Sequence, residues 1–270
     1  MHTDPLADDD ATAPPATRAS RIAGAFRGVG RTVLDLVMPP TCVACRVPVM
    51  EPGCLCARCW SRLDFIERPW CERLGLPFAF DSGIRVSAQA LAEPPAYARA
   101  RAAVTFGEVA RDLVHALKYQ DRTEAAVPMA RLMARTGAEL LADADALVPV
   151  PLHWRRLWQR RFNQSGLLAQ AIGRGSGVPV RHDFLVRTRA GHPQVGLSRT
   201  ERAGNVAGAF AVPELQRAEL AGRRVVLVDD VLTTGATLDA AAKALVRAGA
   251  ARVDVLVFAR VVDAGAPPIS

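Results

Sequence analysis

Val225-Val-Leu-Val-Asp229-Asp230-Val-Leu-Thr233-Thr234-Gly235-Ala236-Thr237 is the stretch that decides the architecture of this chain. Its four leading apolar residues predict a buried strand. Asp229-Asp230 mark the strand's carboxyl end, and the Thr- and Gly-rich run leads into a helix over Thr237–Arg247 with an apolar face of Leu238, Ala241, Ala242, Leu245 and Val246. A strand-loop-helix unit of this kind sets its loop at the carboxyl edge of an open α/β sheet, where such sheets bind ligands. Gly235 and its small neighbours let backbone N–H groups converge on an anion, the helix adds its positive end, and the Thr hydroxyls are further donors. A 5-phosphate group fits that cradle. The adjacent carboxylates accept hydrogen bonds from vicinal ribose hydroxyls, or hold an Mg²⁺ that those oxygens share. The bland alternative is a capped turn, since Asp and Thr are favoured at helix starts. A plain turn needs one or two such residues, not the whole string.

Outward from this unit, strands alternate with helices. Ala102–Phe106 reads as a strand, Glu108–Lys118 as a helix, Glu124–Leu141 as a second helix with Pro128 in its first turn, and Leu147–Leu152 as a strand and turn. Asn163–Arg174 predicts a helix, Val178–Val186 a strand, Arg223–Val228 the strand of the central unit, and Arg252–Val262 a final strand. The alternation implies parallel pairing with right-handed crossovers, so the expected class is α/β. Gly173-x-Gly175-x-Gly177 follows a helix instead of opening one and reads as a cap and turn, not a dinucleotide loop. No internal repeat is evident.

The 270 residues suffice for one α/β core and a small accessory module. No apolar run approaches the roughly 20 residues that span a bilayer, which argues against membrane insertion. Met1–Ser20 is rich in Asp, Ala, Pro and Thr and lacks the basic start and apolar stretch of a secretory signal; it reads as a disordered leader of a cytoplasmic protein. Residues 21–40 fit a basic amphipathic helix carrying Ile22, Phe26, Val29 and Val33, ended by Pro39-Pro40. The formal net charge of +7 points to anionic partners, nucleic acid or a phosphorylated small molecule, and does not choose between them.

All six Cys fall between residues 42 and 71. Cys42-x-x-Cys45 and Cys56-x-x-Cys59 are two knuckles with the spacing of four thiolates around one tetrahedral Zn²⁺, closed to solvent and therefore structural. Cys54 is near enough to compete as a ligand. Residues 41–95 form a zinc-ribbon-like module in which metal, more than core, holds the chain, and 100–264 the α/β domain. His153-Trp154-Arg-Arg-Leu-Trp158-Gln-Arg-Arg161 interleaves cations with aromatics, the kit for tracking single-stranded nucleic acid; the favoured alternative packs Trp154 and Trp158 inward.

The central stretch resembles the 5-phosphoribosyl-1-pyrophosphate (PRPP) motif of type I phosphoribosyltransferases. The wider pattern resembles the ComF (competence protein F) family, which is amidophosphoribosyltransferase-like. It is carried by Pro39-Pro-Thr-Cys42-Val-Ala-Cys45, Leu55-Cys56-Ala-Arg-Cys59-Trp60, Leu117-Lys118-Tyr119, Val148-Pro-Val-Pro151-Leu-His153, Arg161-Phe-Asn163-Gln164 and Gln194-Val-Gly-Leu-Ser198-Arg199-Thr-Glu-Arg202-Ala-Gly-Asn205. The resemblance implies a type I phosphoribosyltransferase-like parallel sheet flanked by helices, preceded by a small Cys-rich zinc-ribbon module. It implies a turn after Pro151 that faces pyrophosphate, and a covering loop around His192–Asn205. Relatives often carry a second pair of knuckles; here it is reduced to Cys71-Glu-Arg-Leu74, with no Cys around Ser87–Ala90, so one zinc site is expected.

Asp229 and Asp230 are thus the expected catalytic and ribose-binding carboxylates, and Thr233, Thr234, Gly235, Ala236 and Thr237 the expected phosphate cradle. Lys118, Pro151, His153, Arg161, Arg199 and Arg202 are the candidates for pyrophosphate and the covering loop, with Arg122, Arg155, Arg156 and Arg160 as further nearby cations. Two functions follow. One is Mg²⁺-dependent phosphoribosyl transfer to an unknown acceptor. The other is a DNA-uptake or recombination accessory that uses the fold to meet single-stranded DNA, a helicase-like partner, or PRPP as a signal.

Overall fold

Four apolar runs form the central sheet of the computed structural model: β1 (Ala100–Thr105), β2 (Ala146–Pro149), β5 (Arg224–Leu232) and β6 (Arg252–Arg260). They hydrogen-bond in the order β1-β6-β5-β2, every pair parallel. Every residue of β6 after Arg252 is buried, as a strand covered on both faces requires. Leu113, Met129, Leu168 and Phe258 belong to the core on one face; Leu227, Leu238, Leu245 and Val257 belong to the core on the other. The structure describes residues 39–119, 122–153, 157–158, 161–188 and 208–262. The leader expected over 1–20 and all but the last two residues of the helix expected over 21–40 lie outside these.

The helices that cover the sheet are α3 (Glu108–Tyr119), α4 (Ala126–Thr136), α5 (Ala138–Ala142), α6 (Gln164–Ser176), α7 (Glu214–Leu220) and α8 (Ala236–Arg247). The single helix expected over 124–141 is in fact a 3₁₀ turn, Thr123–Ala125, followed by α4 and α5. The break falls at Gly137, where a side chain would come within 2.7 Å of Leu256 on β6. Close backbone approach to the sheet therefore overrides the apolar periodicity.

The strand expected over 178–186 is also corrected. Only Val180 bridges to Leu147 beside β2, and regular pairing waits for β3 (Val186–Arg187), antiparallel to β4 (Phe210–Ala211). Two prolines explain the shortfall: Pro179 has no N–H to give, and β2 itself ends at Pro149. A third difference bears on the site. β5 runs on to Leu232, so Asp229 and Asp230 are ladder residues paired alongside β6, not the start of the loop.

N-terminal to the sheet, two similar hairpins are closed by bridges Thr41↔Pro48 and Trp70↔Pro77, each followed by a short helix, α1 (Ala57–Trp60) and α2 (Ala88–Ala92). Asp64–Ile66 joins β1 edge-on: Ile66 N–H donates to Ala103 O at 3.1 Å and Thr105 N–H to Asp64 O at 2.8 Å. Arg101, 1% exposed, fastens the second hairpin to the sheet. Its guanidinium donates to Glu139 at 2.7 Å, to Glu72 O at 2.9 Å and to the Glu72 carboxylate, while Trp70 lies against both Arg101 and Arg68. Burial works to raise the Glu72 carboxyl, but Arg101 and Arg68 hold it below the usual carboxylate range.

Candidate functional site

At the carboxyl edge of the sheet, the end of β5 meets the starts of α6 and α8 and the end of α3. Asn163 caps α6 by accepting from Ser165 N–H at 3.1 Å, and its amide donates to Val150 O at 3.0 Å, tying the helix start to the end of the β2 segment. This sets Ser165 so that its hydroxyl donates to Asp229 Oδ1 at 2.7 Å. Asp230 takes a different partner. Its Oδ2 lies 2.8 Å from Lys118 Nζ, in the last turn of α3, with side chains 5% and 21% exposed respectively. Desolvation first, and then the charge of Asp230, push the Asp229 carboxyl up to about 7, against the opposing pull of Ser165 and Lys118.

The loop after β5 turns into α8 through Gly235 at φ +83°, a left-handed conformation that favours glycine at this position. No side chain caps α8. The positive end of a 12-residue helix is thus offered to a ligand beside two carboxylates. Together these groups line a cavity of about 180 Å³. Asp229, Asp230, Thr233, Gly235, Thr237, Lys118 and Pro151 all line it; Thr234 in the loop and Ala236 at the start of α8 do not.

Other sequence candidates lie elsewhere. His153 is buried and outside the lining, and Arg161 is exposed at φ +62° just ahead of the α6 cap. Arg122 donates to Cys42 O at 3.3 Å and so serves the Cys module instead of the cavity. Trp158 is 88% exposed, which overturns the expectation that it packs inward. Arg199, Arg202, Arg155, Arg156, Arg160, Trp154 and His192 lie outside the described residues.

Residue-by-residue reading missed Gln164 and Ser165. Gln164 is 3% exposed, lines the cavity, and has no partner for its Oε1. The available signal was the run Asn163-Gln164-Ser165, an N-cap followed by two polar residues at the start of a helix with an apolar core face. Arg187 on β3 was missed as well; it lines the cavity mouth and lies over Phe210. Among the described residues, no His, Glu or Cys lines the cavity.

The second candidate centre is the first hairpin. The Sγ atoms of Cys42, Cys45, Cys56 and Cys59 all lie within 4.8 Å of one another, with Cys45 and Cys56 3.6 Å apart. Tetrahedral Zn²⁺ with bonds of about 2.3 Å spaces its sulfurs at about 3.8 Å, so the four fit that ion. Cys54 is not in the group. Burial acts to raise the Cys42 thiol, but the N–H groups of Cys56, Cys45 and Ala44 outweigh it and bring the group to about 6, primed for a cation. Burial and the neighbouring thiols push Cys59 far up in the absence of metal. In the second hairpin Cys71, Leu74 and Ala90 are packed together with Leu76, Phe78 and Val86, an apolar cluster where a second ion would sit.

Comparison with known proteins matches both parts of the chain at the level of domains. Residues 33–91 match the double zinc ribbon domain and residues 168–268 the phosphoribosyl transferase domain. The DNA utilization protein YhgH of Escherichia coli (strain K12) is 36% identical over 234 residues, covering 83% of this chain and 99% of that protein. Competence protein F of Haemophilus influenzae is 29% identical, covering 81% of this chain and 96% of that protein. Competence protein ComFC of Bacillus subtilis is 26% identical, covering 73% and 80%. With a zinc ribbon, a phosphoribosyltransferase domain and end-to-end similarity to such relatives, this chain belongs to the competence protein F family.

Proposed function

We propose that the chain binds PRPP with Mg²⁺ at the carboxyl edge of its sheet. The observation that carries this is the juxtaposition of Asp229 and Asp230, at the end of β5, with the uncapped start of α8 behind Gly235. The 5-phosphate would take the N–H groups of that helix start and the hydroxyls of Thr233 and Thr237. The vicinal ribose hydroxyls would donate to Asp229 and Asp230. Gln164, with a buried acceptor to satisfy, would receive a further hydroxyl or amide donor from the bound molecule. When bound, Mg²⁺ would neutralise charge on the pyrophosphate.

Transfer from such a ligand breaks the bond between the anomeric carbon and the pyrophosphate oxygen. Pyrophosphate leaves with the electron pair, and the acceptor forms the new bond and gives up a proton. This chain's contribution is to hold the ribose at both ends and to place positive charge where the leaving group departs. Asp229, whose carboxyl burial and Asp230 push up to about 7, is the group of the cavity placed to exchange a proton near neutral pH.

A second reading is favoured by a specific observation: Trp158 is 88% exposed, in a sequence segment that carries several Arg, and the chain's relatives are named for DNA utilization and competence. In that reading PRPP binding regulates a surface for single-stranded DNA. Calorimetry with PRPP, with and without Mg²⁺, tests the first reading on the wild type and on an Asp229→Ala, Asp230→Ala variant shown to be folded by circular dichroism. Mg²⁺-dependent binding that the variant loses is the expected result. No binding to folded wild type sinks the first reading, and steeply salt-dependent binding of an oligonucleotide in its place moves the weight to the second.

A further inference from the structure

Lys118 stands against one of the two adjacent carboxylates of the cavity. Its ammonium is 2.8 Å from Asp230 Oδ2, both side chains are largely withdrawn from water, and both line the ligand cavity. Two adjacent carboxylates in such surroundings need a positive charge near them, or one must take up a proton. Here the charge comes from the protein itself. Beside the pair, Gln164 Oε1 is buried with no partner, so the polar wall of the cavity is complete only when something else is bound.

We propose that Lys118 is the resident counter-cation of the site: its ammonium holds Asp230 until Mg²⁺-bound ligand arrives, and is then exchanged onto the ligand's pyrophosphate. The proposal rests on the preceding reading of the cavity as a PRPP site. An ammonium and a divalent ion compete for the same carboxylate oxygen, so Lys118 disfavours Mg²⁺ in the empty site. A ligand that brings Mg²⁺ together with pyrophosphate offers Lys118 a new anion within the reach of its four-carbon stem. The exchange keeps the buried charge near balance in both states, and it makes the metal and the phosphorylated ligand bind together instead of the metal alone.

The test is titration of zinc-loaded protein with Mn²⁺ alone, read by the electron paramagnetic resonance of the free ion, on wild type, Lys118→Met and Lys118→Arg. Lys118→Met is expected to bind Mn²⁺ at least about tenfold more tightly than wild type, the scale of one removed competing charge near a protein surface, and Lys118→Arg no more tightly than wild type. With PRPP and Mg²⁺ the order reverses, Lys118→Met binding more weakly than wild type. Equal Mn²⁺ affinity in wild type and Lys118→Met overturns the proposal. If Lys118→Met fails to fold, Lys118→Gln, which removes the charge with a polar side chain, gives the same two outcomes. A wild type that does not bind PRPP would remove the reading of the cavity, a failure distinguishable from an unchanged Mn²⁺ affinity.

Discussion

Cys42, Cys45, Cys56 and Cys59 in the first hairpin and Cys71, Leu74, Ser87 and Ala90 in the second occupy the same four places in the same backbone. Four hydrogen bonds of the first hairpin recur at the matching positions of the second. Arg46 N–H donates to Cys42 O at 3.0 Å, as Gly75 N–H donates to Cys71 O at 2.7 Å; Cys42 N–H meets Val47 O at 2.8 Å, as Cys71 N–H meets Leu76 O at 2.8 Å. Cys56 N–H lies 3.3 Å from Cys42 Sγ, and Ser87 N–H lies 3.3 Å from Cys71 Sγ. Cys59 N–H lies 3.5 Å from Cys56 Sγ, and Ala90 N–H lies 3.3 Å from Ser87 Oγ. Even the left-handed residue is repeated, at Arg46 with φ +65° and at Gly75 with φ +67°.

What differs is the means of closure. Four thiols converge in the first hairpin, where a bound metal would supply folding free energy. In the second, one thiol survives as a hydrogen-bond acceptor inside an apolar cluster, and burial of its neighbours replaces the ion. Burial acts to raise Cys71, but the Ser87 hydroxyl and the N–H groups of Ser87, Leu74 and Arg73 more than offset it and lower the thiol. The second hairpin is also fastened to the sheet by the buried Arg101, so it leans on the larger domain for order. The same knuckle can thus be closed by coordination or by packing.

Three variants break or sharpen this comparison. The largest effect is expected from Cys59→Ser, which removes one ligand of the first hairpin and with it a metal-binding free energy on the order of 10 kcal/mol. Elemental analysis should show zinc lost, and hydrogen exchange should show residues 41–63 unprotected while 71–90 stay protected. If both hairpins lose protection together, they are one cooperative unit and the contrast fails.

Next is the reverse experiment. Leu74→Cys, Ser87→Cys and Ala90→Cys combined rebuild four thiols on the second backbone, and the protein should take up a second equivalent of zinc and lose stability on chelation beyond the wild type's loss. An unchanged zinc content would mean that the two backbones are less alike at the metal's scale than their hydrogen bonds indicate. The smallest effect is expected from Cys71→Ala. It leaves the Ser87 and Leu74 N–H groups without their acceptor and costs about 1–3 kcal/mol, read in thermal unfolding with zinc content unchanged.

The main legible features in the sequence were those whose physics is local. Asp229 through Thr237 announce a strand, turn and helix start by residue type alone, and the first four Cys announce a metal by spacing. The two helix and strand extents that were misread, 124–141 and 178–186, depend on partners distant in the chain: Leu256 facing Gly137, and the short β2 with its prolines. The likeness of the two hairpins is not visible as a sequence repeat, and only the family resemblance pointed to Cys71–Leu74 and Ser87–Ala90 as a reduced second knuckle, because backbone hydrogen bonds survive substitutions that erase sequence similarity.

By itself, then, the sequence determined the four strands of the parallel sheet, the strand-loop-helix unit over Val225–Thr237 and the four-Cys cluster, because propensity, turn chemistry and ligand spacing act over a few residues. Only the tertiary structure decided which groups meet at the cavity. Lys118 comes from the end of α3, Ser165 and Gln164 from the start of α6, and Asp229 and Asp230 from β5. Their shared charge balance arises from parallel strands bringing distant loops to one edge of the sheet, and no local pattern encodes that distance.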